Sequence, residues 1–66
     1  MTEFEFYDGE KFITFDLLDI NEDKRTVLVV VSDSGKITQR EFDLFFDKKG
    51  FYIEYGNAYN KVYLNS

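Results

Sequence analysis

The run Val27–Val31, Val-Leu-Val-Val-Val, constrains the fold more than any other stretch of the chain. Four of its five residues are β-branched. Such side chains lose χ1 freedom in a helix and pack well on a pleated surface. An unbroken apolar run is read as a strand covered, at least in part, on both faces. It is far too short to span a bilayer. The stretch Arg25–Ser32 is therefore expected to be the central strand of a small sheet, with the other segments arranged around it.

Sixty-six residues make one domain, 1–66, and a chain of this length buries only about 60% of the surface that its unfolded form exposes. Domains this small usually lean on disulfides, a metal or oligomerisation. The sequence has no Cys and no His, which excludes disulfides and argues against a structural zinc site. Good packing or self-association is left. The 8 Phe and 5 Tyr bring large apolar area to a thin core, and more rings than one small core readily hides. The net charge of −5 argues against a dedicated nucleic-acid binder and against an anionic membrane as partner. It suits a basic protein surface, and equally it keeps an aromatic-rich chain soluble. The opening Met-Thr-Glu-Phe-Glu-Phe lacks a basic region followed by an apolar one, so no secretory signal is read there and a cytoplasmic location is expected.

Along the chain, Glu3–Tyr7 alternates, with Phe4 and Phe6 on one face and Glu3, Glu5 and Tyr7 on the other. Asp8-Gly9 signals a two-residue hairpin turn. A second strand over about Glu10–Asp19 places Ile13, Phe15 and Leu17 on one face and Phe12, Thr14, Asp16 and Leu18 on the other. Asn21–Lys24 and Asp33–Gly35 read as turns on either side of the central strand. Two readings compete over 38–49. For a helix, Thr38 and Glu41 match a capping box, Ile37 and Phe42 a hydrophobic staple, and Gly50 a C′ residue. For a strand, Phe42, Leu44 and Phe46 alternate with Glu41, Asp43 and Phe45, and Asp47–Gly50 is a hairpin turn. The β surroundings favour the strand. Phe51–Tyr55 and Tyr59–Leu64 complete the chain. The fold class expected is all-β: a five- to six-stranded antiparallel meander or a small barrel of the SH3-like or OB-like kind. The alternative is α+β with one helix at 38–49. Phe15-Asp16-Leu17-Leu18 and Phe42-Asp43-Leu44-Phe45 echo each other, each setting an Asp between apolar residues.

Without His or Cys, the commonest general base and the thiol nucleophile are absent. Asp16 and Asp43 are the best-placed carboxylate pair, and the expectation is that both point to solvent. Asn21-Glu22-Asp23 and Asp33-Ser34-Gly35 lack the spacing and closing Glu of a calcium loop. The four glycines are isolated, so no phosphate loop exists. No catalytic residue, metal site or cofactor is expected, and the chain is read as no enzyme. Two surface features are left. Up to Asp23 the chain holds eight acids and one base, Lys11. Tyr52, Tyr55, Tyr59 and Tyr63 form a C-terminal series of a residue type enriched at interfaces. They either contact a partner or cap the ends of a small barrel.

The stretches Val29–Ile37, Arg40–Leu44 and Phe51–Gly56 resemble small accessory proteins of bacteriophages and conjugative elements. That resemblance implies a short acidic protein that binds and blocks a host defence protein, as anti-CRISPR and anti-restriction proteins do, some by offering carboxylates where an enzyme expects phosphates. Eight basic residues make this chain a local acidic plug rather than a mimic of a whole duplex. The function expected is a non-enzymatic inhibitor that occludes a basic surface of a bacterial protein with Glu3, Glu5, Asp8 and Glu10, anchored by Tyr52, Tyr55 and Tyr59. The alternatives are a single-stranded nucleic-acid binder, using tyrosine platforms beside Lys48, Lys49 and Lys61, and a self-assembling homodimer.

Overall fold

The computed structural model describes residues 2–64, which form seven strands, most of them joined by short turns. Strands β1 (Thr2–Tyr7), β2 (Phe12–Asn21), β3 (Thr26–Asp33) and β4 (Lys36–Asp43) form one antiparallel sheet in chain order. Strands β5 (Phe45–Asp47), β6 (Gly50–Tyr55) and β7 (Asn60–Tyr63) form a second. The valine run lies in β3, inside the four-stranded sheet, as its β-branched character predicts. The described residues contain no helix, so the chain is all-β and the helical alternative over 38–49 is set aside. There are seven strands rather than five or six because the expected long strand breaks at Leu44. The Leu44 N–H leaves the ladder and donates to the Arg25 carbonyl at 2.8 Å, and the chain crosses there from the first sheet to the second.

Turn chemistry fixes the register. Asp33 faces Lys36 across Ser34-Gly35, whose φ values of 54° and 81° are the pair of positive dihedrals that a type I′ hairpin turn requires. The Asp8-Gly9 signal marks a hairpin, but the loop has four residues, Asp8–Lys11, between the paired Tyr7 and Phe12. The Asp8 carboxylate is the reason. Its Oδ1 accepts the N–H groups of both Glu10 and Lys11 at 2.9 Å, a local bond set that a two-residue turn would forgo. These backbone donors also hold the Asp8 carboxyl below its ordinary pKa.

One face of each sheet is apolar and the two faces meet. Phe4, Ile13, Phe15, Val27, Val29 and Val31 come from the larger sheet, and Ile53, Val62 and Leu64 from the smaller side. Phe15 is the hub, stacked on Phe4 at 5.1 Å and edge-on to Tyr55 at 5.2 Å. Burying the three β3 valines contributes about 5–9 kcal/mol gross, as large as the whole net stability of a chain this size. No polar side chain is buried among the described residues. β7 returns beside β1, so the meander curls back on itself.

Candidate functional site

Strand pairing, followed outward from the core, gathers the acidic residues. Residues directly opposite each other in a ladder share a face. Glu5, Thr14, Ser32 and Ile37 form one transverse row on the outer side of the larger sheet, and Glu3, Asp16, Val30 and Gln39 form the next. A β-bulge between Leu17 and Asp19 then changes the parity of β2. Asp19 thereby joins Leu28 and Glu41 in a third outward row, and Asn21, Thr26 and Asp43 form a fourth. Thr26 confirms the orientation, its hydroxyl donating to Glu41 Oε2 at 2.8 Å. The face thus carries Glu3, Glu5, Asp16, Asp19, Glu41 and Asp43. No lysine or arginine lies on it among the described strand positions. Val30 and Leu28 are half-buried in its middle, and Phe12 and Ile37 stand 63% and 69% exposed at one end. The face therefore has an apolar centre between charged margins.

The residues expected to bind a partner do not all fall together. Glu3 and Glu5 lie on this acidic face, and Asp8 and Glu10 lie in the β1–β2 loop at its end. Tyr52 projects from the outer side of the other sheet, in a ladder with Phe45 (5.5 Å) and Tyr63 (5.4 Å), and Lys61 covers its ring at 4.8 Å. Tyr55 points inward. Its hydroxyl donates to Asp33 Oδ2 at 3.0 Å, and Lys11 closes on the same carboxylate at 2.8 Å. Lys11 and the Tyr55 hydroxyl hold the Asp33 carboxyl below its ordinary pKa, while burial and Asp33 push the Tyr55 phenol up. Tyr55 is thus a clamp between the sheets. Tyr59 lies in the β6–β7 loop with φ of 54° and 71% exposure, beside Arg40, Phe42 and Tyr55 rather than on the acidic sheet face. Tyr63 clamps the two edge strands of the smaller sheet: its hydroxyl donates to Asp47 Oδ2 at 2.7 Å, with Lys61 at 3.3 Å, and Tyr63 leads the groups that lower the Asp47 pKa.

Asp16 and Asp43 lie on the outer face of the sheet rather than among the core residues, as expected. Strict alternation would have turned Asp19 inward. The signal that it does not is weak: two adjacent leucines, Leu17-Leu18, where a β-bulge leaves Leu18 47% exposed. Among the described residues no group of three potential metal-binding side chains assembles, and no helix is long and apolar enough to cross a membrane. No known family model, curated protein or solved structure matches the chain.

Proposed function

We propose that the protein is a non-enzymatic interaction module that presents the outer face of its four-stranded sheet to a basic surface of a bacterial protein. The observation that carries this reading is the collection of six carboxylates on one sheet face that bears no lysine or arginine among the described strand positions. Such a face steers a positively charged partner over long range and repels phosphates. Its apolar centre of Val30 and Leu28 supplies the desolvated contact that charge alone does not. The reading extends to an inhibitor of a phage or mobile element that acts in the cytoplasm and blocks a nucleic-acid-binding surface of a defence protein. Its support is the acidic, cysteine-free, histidine-free composition together with this face. The return of β7 to β1 supports a small barrel of the SH3-like or OB-like kind as the scaffold.

The test is affinity capture from bacterial lysate, with and without nuclease. Wild type is compared with a triple variant, Glu3→Lys, Glu5→Lys, Asp16→Lys. A basic protein retained after nuclease treatment by wild type and lost from the variant supports the reading. Identical capture by both sinks it.

A second reading has its own observation. The Phe45–Tyr52–Tyr63 ladder carries Lys61 over Tyr52 and Lys49 over Tyr63 at 5.8 Å, a combination that suits stacked bases and backbone phosphates. Asp47 and Glu54 on the same face oppose it. Fluorescence titration with labelled oligonucleotides at low salt decides: saturable binding lost in Tyr52→Ala establishes this reading, and a flat titration removes it.

A further inference from the structure

The inner face of the smaller sheet is longer than the sheet that covers it. Ile53 and Val62 are fully enclosed, yet Phe46 and Phe51, which share their side of the sheet, are 69% and 48% exposed. The two rings pack on each other at 4.9 Å. Opposite them Ile20, paired with the buried Val27 and so on the core side of β2, is 44% exposed. Between these walls runs a groove of about 820 Å³, floored by Leu17, Leu44 and Leu64. The core of this protein therefore runs out to its surface at one end. An apolar surface of that kind, a core cut open, characterises obligate homodimers.

We propose that this groove is the interface of a two-fold symmetric dimer, its occupant a second copy of the chain. Two observations select a second copy over a foreign partner. The groove is bordered by one acid, Glu22, and one base, Arg25, and neither makes an ion pair within the chain among the described residues. A two-fold axis that passes between these two residues sets Glu22 of each copy against Arg25 of the other, and the charges then cancel in pairs. The enclosed core, moreover, has only nine side chains among the described residues, in a chain without disulfides, and oligomerisation is one of the two supports left, beside good packing, for a domain of this size. Phe46 is both knob and wall: each ring enters the other groove against Leu44 and Leu64. The six-carboxylate face lies outside this interface and stays free on both copies, so the dimer offers two acidic faces.

The experiment is sedimentation velocity on the full chain from micromolar to millimolar concentration, with circular dichroism as a check on folding. Wild type is expected to reach twice the chain mass, and Phe46→Glu to sediment at the monomer mass with a lowered Tm, as loss of a supporting interface requires. Arg25→Glu is expected to weaken the dimer by about tenfold, two like-charged contacts replacing two attractive ones, and Glu22→Arg combined with Arg25→Glu to restore it. A wild-type chain that stays monomeric throughout overturns the proposal, whether or not the groove then takes a foreign apolar peptide. So does a dimer that survives Phe46→Glu and dissociates in Glu3→Lys/Glu5→Lys, since it would use the acidic face.

Discussion

Reversing Glu3 to lysine is expected to make the protein more stable. Glu3 lies directly across the ladder from Asp16, both on the outer face, and like charges so placed repel. Two unit charges about 6 Å apart in water repel by about 0.7 kcal/mol, and screening at physiological salt reduces this to about 0.3 kcal/mol. Glu3→Lys turns repulsion into attraction, a Coulomb swing of about 1.4 kcal/mol at low salt and about 0.6 kcal/mol at physiological salt, of which a solvent-exposed pair realises up to about 1 kcal/mol. In a domain of this size the gain raises Tm by about 4–8 °C at low salt and by less as salt is added. Thermal melts followed by circular dichroism at low and high ionic strength measure it. Glu3→Gln, which removes the repulsion without adding attraction, is expected to give about half the gain. A Tm that falls, or a gain that salt leaves unchanged, would show that Glu3 and Asp16 do not face each other as the register says. The same substitution is expected to weaken partner capture. Greater stability with weaker binding is the signature of a face whose charge serves contact rather than folding.

Truncating Phe15 to alanine removes the hub of the core and is expected to cost about 3–5 kcal/mol, half or more of the net stability, read as a collapse of the urea midpoint. Gly35→Ala is expected to cost about 1–2 kcal/mol through its φ of 81° alone, because an added Cβ there meets nothing within 4 Å; Gly35→Asn, which tolerates the left-handed region, is expected to cost much less. Asp33 and Asp47 have folded pKa values below the ordinary carboxylate value. The stability they contribute is therefore present above that value and lost as pH falls through the folded pKa, and Asp33→Asn is expected to flatten the fall in Tm between about pH 5 and pH 2. Tyr55→Phe removes one of the Asp33 donors and is expected to shift the same curve in the same direction, by less.

Much of the fold was legible in side-chain order. The valine run identified the central strand, alternation placed Phe4, Ile13 and Phe15 inside and Glu3 and Glu5 outside, and Ser34-Gly35 marked its hairpin. What failed to show were the two places where a strand departs from period two. Both fall on the echoed motif: Phe15-Asp16-Leu17-Leu18 ends in the β-bulge and Phe42-Asp43-Leu44-Phe45 contains the crossing between sheets. Each departure rests on a long-range event, at Leu44 the bond from its N–H to the Arg25 carbonyl, which no local pattern encodes. The missed site residues follow from these breaks. Asp19 changes face at the bulge, and Glu41 and Asp43 gain a face only once β4 is known to pair with β3. The tyrosines divide between two roles for another reason. An amphipathic ring serves a clamp as well as a contact, and Tyr55 and Tyr63 spend their hydroxyls on Asp33 and Asp47.

The central claim is that the outer face of the four-stranded sheet meets a basic surface. It is tested most directly by recording amide correlation spectra of the isotope-labelled chain while the captured protein is added. Perturbation centred on Glu3, Glu5, Asp16, Val30 and Glu41, reversed by salt, is the result expected. Perturbation confined to Tyr52, Lys61 and Tyr63, or to Phe46 and Phe51, with the acidic face unmoved, would contradict it.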